Sequence, residues 1–219
     1  MAEPASPPIG YRLLLPSDWV QIPLRQGDAE QAARDIVGSA FARVPADVPR
    51  DKLTPLRLDL ERRLLAAVAD ARRAKALELY LPMRLSSEVN LGASIVVSET
   101  QLPSRSGADT ESSPLSNPAE VALQLLSGDG GGIDVDLSSG EVDGALAVRR
   151  ERVVLADPER RDELATRRID YIVSVPDDPT RWFIAAFSTI GAGDPKDDLA
   201  DALVEWFDAL MTTFRWSWT

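Results

Sequence analysis

The sequence predicts an α+β fold: an antiparallel β-sheet flanked by helices on both faces, an α/β/α sandwich. Three observations carry this reading. Segments such as 76–83 and 165–175 alternate apolar and polar side chains with period two, the pattern of a strand with a buried face. Residues 182–189 are apolar on both alternating sets, Phe183, Ala185 and Phe187 on one and Trp182, Ile184 and Ala186 on the other. A central strand covered on both sides has that pattern. Residues 28–42, 54–75 and 199–214 instead repeat apolar residues at helical spacing, which supplies the covering layers.

Taken in order, residues 1–9 are Pro-rich and read as a disordered tail. Residues 10–219 read as a single domain with a flexible loop at about 101–117, where Ser, Gly and Pro accumulate. Segments 11–15 and 19–24 are short extended pieces separated by Pro16-Ser17-Asp18, a turn signal, and are expected to form an N-terminal hairpin. Trp19 sits among apolar neighbours and reads as core; its alternative role is a ligand-stacking ring.

The helix over 28–42 ends before Pro45 and Pro49. Thr54 as N-cap and Pro55 at the first helical position open the next helix. The arginines on its polar face, Arg62, Arg63, Arg72 and Arg73, have acidic neighbours and read as a solvated surface. Residues 76–83 are a strand with Leu77, Leu79 and Leu81 on the buried face, and 93–99 is another. Residues 118–126 open on a proline and read as a short helix.

Residues 128–136 gather four glycines and three aspartates. Oxygen ligands on a flexible turn suit calcium, but the order and terminal Glu of an EF-hand are missing. The preferred reading is a Gly-rich turn opening a strand with Ile133, Val135 and Leu137 in alternation. Residues 140–156 continue as sheet. Arg149, Arg150 and Arg152 there read as a solvated or cross-strand-paired face, with anion recognition as the alternative. Residues 157–162 form a charged turn, 165–175 a strand, 176–179 a hairpin turn and 182–189 the returning strand. Asp197 and Asp198 then stand where a helix N-terminus favours negative charge. The stripe Leu199, Leu203, Trp206, Phe207, Leu210 and Phe214 leads into Trp216 and Trp218.

Composition narrows the chemistry. The chain has no cysteine and no histidine. That removes disulfides, thiol catalysis, Ser-His-Asp triads and the commonest metal ligand. No cofactor and no metal ligand set is expected. The net charge is −11, and the acidic excess lies in residues 101–219. An acidic surface argues against nucleic-acid binding by bulk charge. The first residues carry no basic and long apolar run, so they do not read as a signal peptide, and no stretch reaches the roughly 20 apolar residues of a membrane helix. The expected address is cytoplasmic, with no membrane partner.

At residues 14–24, 168–176, 182–189 and 203–216 the chain resembles an actinobacterial family with a PsbP-like α/β/α sandwich, LpqN-like but without the lipoprotein signal or its lipidated cysteine. The resemblance spans most of residues 10–218 and rests on packing motifs. It implies a binding or accessory protein and brings no catalytic residues with it.

The leading reading is therefore a non-enzymatic protein acting on an unknown protein partner; oligomeric state is open. Its candidate surface is Trp216 and Trp218 with the acidic flank Asp197, Asp198 and Asp201. The alternative is a small-ligand domain whose pocket lies between the sheet and the N-terminal hairpin, lined by Tyr11, Arg12 and Trp19. A carboxylate hydrolase using Asp177 and Asp178 is a third, weaker reading, because adjacent strand residues point to opposite faces.

Overall fold

The computed structural model describes residues 6–25, 27–42, 44, 50–82, 92–101, 132–156 and 164–218. Apart from Gln101, the expected loop at about 101–117 lies outside them, as do the helix at 118–126, the glycines of 128–131 and the charged turn at 157–162. Nine strands and three helices are described: β1 Gly10–Arg12, β2 Trp19–Pro23, α1 Ala29–Ala42, α2 Arg50–Arg73, β3 Ala76–Pro82, β4 Ala93–Gln101, β5 Ile133–Val142, β6 Ala145–Val154, β7 Thr166–Val175, β8 Asp178–Thr189, α3 Asp198–Met211 and β9 Arg215–Ser217.

Seven strands form one antiparallel sheet in the order β2-β3-β4-β8-β7-β6-β5. The two-faced strand β8 occupies its centre, as its composition requires. Phe183, Ala185 and Phe187 face α3, where Val204, Phe207, Leu210 and Met211 close the larger core together with Ile95, Val97, Ile169 and Val173. The opposite face of the sheet carries α1 and α2. Their Ala33, Val37, Leu64 and Val68 pack with Ile22 and Leu79 in a second core. The molecule is thus an α/β/α sandwich with helices on both faces of an antiparallel sheet.

Local chemistry sets the element ends. The Asp28 carboxylate accepts the Gln31 N–H at 2.9 Å and starts α1. Helix α2 begins at Arg50 rather than at Thr54, so Pro55 lies inside it. Pro55 is thus past the first turn, and its missing N–H removes one backbone bond of the helix. Asp197 caps α3, accepting the Ala200 N–H at 2.7 Å. Strand β3 carries a bulge between Ala76 and Glu78, which breaks the expected alternation. Leu77 packs against the α3-side core while Leu79 and Leu81 join the α2-side core.

Two expectations need correcting, and a third gains detail. The N-terminal hairpin does not form: β1 pairs with β9 and β2 pairs with β3. The chain turns at Pro16, whose carbonyl accepts the Trp19 N–H at 3.0 Å, and passes from one sheet to the other. Residues 140–156 continue the sheet as expected, and they do so in two strands. Asp143 and Gly144 adopt positive φ of 49° and 75°, the conformation of a two-residue hairpin turn, and separate β5 from β6. The tail is held from Ser6 onward: the Ile9 N–H donates to Ser217 at 2.9 Å, and the Pro8 and Ser6 carbonyls accept from Arg181 and Trp218.

Candidate functional site

The helical layer of α1 and α2 does not close completely on the sheet. Ala67 and Ala71 of α2 and Ala74 just past its end line one side, and the strands opposite present Ser94, Ser98, Ala186 and Ser188. Short side chains meet short side chains there, so the two layers cannot interdigitate to normal interior density. A cavity of about 620 Å³ results, with Val96, Ile172 and Ile184 on its floor. A second cavity of about 430 Å³ adjoins it between α1, α2 and the β3–β4 edge, walled by Ile36, Val37, Leu60 and Leu64. Leu81, Ser94 and Ser188 line both.

One end of this hollow is charged. Asp170 is buried, and its carboxylate meets the Arg150 guanidinium at 2.6 Å and Arg168 Nε at 2.8 Å. Arg152 approaches the same carboxylate at 3.7 Å. The register explains the gathering, because Arg150 lies opposite Asp170 and Arg152 opposite Arg168 across the β6–β7 ladder. A buried carboxylate needs such partners to remain ionised. The arginine cluster read from the sequence is therefore divided between the faces. Arg150 and Arg152 turn toward the hollow's side, and Arg149 toward α3.

On the α3 face Arg149 forms a bidentate pair with Asp208 at 2.8 and 2.9 Å and reaches Glu151 at 2.6 Å. Tyr171 donates to Asp208 at 2.9 Å, and Arg167 bridges Glu151 and Asp201. Burial works against the Arg149 charge, but its bonds to Asp208 and Glu151 outweigh that and raise its pKa. Burial, followed by the Asp208 charge, pushes the Tyr171 phenol upward. This network fastens α3 to β6 and β7.

A third polar cluster joins β1 to β3. The Tyr11 and Tyr80 hydroxyls both donate to Glu78 Oε2, and Gln21 Nε2 donates to Oε1 at 2.6 Å. Burial is the main reason that both phenols are raised, with the Glu78 hydrogen bonds reinforcing it.

The structure separates the residues expected to line a pocket. The Tyr11 ring packs edge-on against Phe183 and stacks on Phe214, inside the core. Arg12 is exposed on the outer side of the same strand. Trp19 stacks on Trp206 of α3 at 4.8 Å, as the core reading expects. There is no hairpin to enclose a ligand among them.

The expected interaction surface also divides. Trp216 is 5% exposed and lies within the aromatic core against Phe183 and Phe214; it cannot meet a partner there. Trp218 is 51% exposed. Asp197 is occupied as the α3 N-cap and Asp201 by Arg167, while Asp198 is exposed in the first turn. Asp177 and Asp178 belong to the β7–β8 hairpin: Asp177 has a φ of 58°, and the Asp178 carboxylate accepts from Thr180. Among the described residues, no three acidic side chains converge as a metal site, and no helix is long and apolar enough to cross a membrane.

No protein-family model matches the chain, and no curated protein matches it. Solved structures do. The chain is similar to the solution structure of cyanobacterial PsbP (CyanoP) from Synechocystis sp. PCC 6803, at 12% identity and a TM-score of 0.43, over 94% of this chain and 86% of that one. It is also similar to the crystal structure of LpqN, involved in cell envelope biogenesis of Mycobacterium tuberculosis. There the identity is 13% and the TM-score 0.44, over 98% of this chain and 86% of LpqN.

Proposed function

We propose that this is a non-catalytic binding protein that holds an apolar or amphipathic small molecule between its α1–α2 layer and the sheet. The observation that carries this reading is the hollow itself. Its two adjoining chambers fall within the size range of ligand sites, with mostly apolar walls and a few polar groups. Serine hydroxyls at positions 94, 98 and 188 supply hydrogen-bonding points on an otherwise greasy floor. The lack of histidine and cysteine, and tyrosines engaged in structural bonds, support binding over turnover.

An environment-sensitive naphthalene dye and a series of saturated fatty acids test the proposal. Saturable dye fluorescence, displaced by the acids, is expected. Replacing Ala186→Phe fills the floor of the larger chamber and should abolish the signal while the protein still melts cooperatively. Dye binding that persists unchanged in a folded Ala186→Phe variant sinks the proposal, as does no binding to the parent protein.

A further inference from the structure

The end of α3 and the β1–β9 ribbon enclose a second, unrelated surface. It is a groove of about 560 Å³ that includes Arg12, Leu14, Thr213, Arg215 and Trp218 in its lining. Leu14 is 74% exposed, among the largest apolar exposures of the described residues. The Trp218 ring stands beside it, held in place because its Nε1–H donates to the Ser6 carbonyl at 3.0 Å. Large apolar groups exposed side by side mark a binding surface more often than isolated ones do.

The charge of the groove is the opposite of the molecule's. The chain carries −11, yet among the described residues no acidic side chain lines this groove and two arginines do. Arg12 is exposed and makes no ion pair among the described residues. Arg215 lies 3.7 Å from Asp143, and its Nη1 donates to the Thr212 and Phe214 carbonyls. A helix C-terminus normally presents a negative pole. Here the hydroxyls of Thr212 and Thr213 donate back to the Ala209 and Leu210 carbonyls, and Arg215 covers the remainder. The pole is met from within, and Asp143 offsets part of the Arg215 charge, so Arg12 is the groove's exposed cation without an ion pair among the described residues.

We infer that this groove docks an acidic segment of a partner protein that carries a large apolar side chain. The carboxylates would meet Arg12 and Arg215, and the apolar side chain would lie across Leu14 and Trp218. The fixed indole offers contact area at small entropic cost. Nucleic acid is the less suitable polyanion, because two arginines release few counterions and the remaining surface repels a long phosphate chain. The inference does not depend on the hollow, which lies on the other side of the sheet.

The probe is a fluorescein-labelled peptide, Glu-Glu-Phe-Glu-Leu-Glu-Glu, followed by fluorescence anisotropy. Controls are the same peptide with Lys for every Glu and a labelled oligothymidylate. The acidic peptide should bind saturably and more tightly than either control. Arg12→Glu should weaken it about tenfold, as should Trp218→Ala. Both side chains are exposed, so an unchanged melting curve separates lost docking from lost folding. Ala186→Phe should leave peptide binding untouched. The inference is overturned if the acidic peptide does not bind, if folded Arg12→Glu and Trp218→Ala proteins bind it as the parent does, or if a control binds equally well.

Discussion

Asp197 gathers several duties in one carboxylate. It accepts the Ala200 N–H of the first turn of α3 and, at 2.7 Å, the Ala192 N–H of the preceding loop. Those backbone bonds hold its carboxyl below the usual range. The folded state therefore binds the proton less readily than the unfolded chain does. Its stabilising contribution is complete above the unfolded carboxyl pKa of about 3.9 and is lost as pH falls through the lower folded value. Asp197→Ala should melt at a lower temperature than the parent at neutral pH, with the gap narrowing in acid. A gap that stays constant down to strongly acidic pH would contradict the assignment. The sequence disclosed this residue well, because an aspartate ahead of an apolar helical stripe is a local signal. It did not disclose the fate of Trp216. Two tryptophans one residue apart near the chain end look equivalent until β1 supplies the partner that turns one inward, with Tyr11 opposite Trp216 in the ladder.

At the scale of elements, one stacked contact seats α3 on the central strand. Phe207 is fully buried, and its ring lies 4.9 Å from that of Phe187 on β8. Phe207→Ala leaves a cavity facing the central strand and should cost about 3–5 kcal/mol, read as a lower urea midpoint at unchanged slope. The β5–β6 turn is a different kind of dependency. Gly144 holds a φ of 75°, so Gly144→Val forces a branched side chain into the left-handed region at a cost of roughly 1–2 kcal/mol. Denaturant melts of that variant test whether the turn is needed.

Helices and strands that declare themselves by period were legible: α1, α3, β7 and β8 stand close to where the periodicity puts them. The turn at Asp143-Gly144 carried a recognisable dipeptide signal, yet the apolar residues on both sides of it masked the break. The partner of β1 was not legible, because pairing over 200 residues of sequence separation is decided by the rings it buries. The hollow was invisible for a related reason. Ala71 and Ala186 look like ordinary core residues one at a time, and only their meeting across two layers leaves space.

For the molecule as a whole, the tyrosines report integrity. The chain has three, and burial raises all of them above the ordinary phenol. Unfolded phenols release their protons near pH 10. Stability is thus unaffected below that value and declines as pH rises beyond it, since only the unfolded chain ionises there. Absorbance at the phenolate band should stay flat through the normal titration range and then rise together with loss of the circular dichroism signal. In guanidinium the same chain should titrate near pH 10. A separate phenolate step in the folded protein would show that a tyrosine is less protected than Tyr11, Tyr80 and Tyr171 are here.

The β1–β9 ribbon also fixes how the molecule answers a pulling force. Gly10–Arg12 lies antiparallel to Arg215–Ser217. Tension applied through residues 10 and 217 therefore loads the first backbone bonds one at a time, like a zip rather than a shear joint. Yielding there would draw Tyr11 and Trp216 out of the aromatic cluster and expose Phe183 and Phe214 while the seven-stranded sheet still stood. Joining those two strands through a short linker and opening the chain elsewhere would leave the same ribbon without a free end to peel.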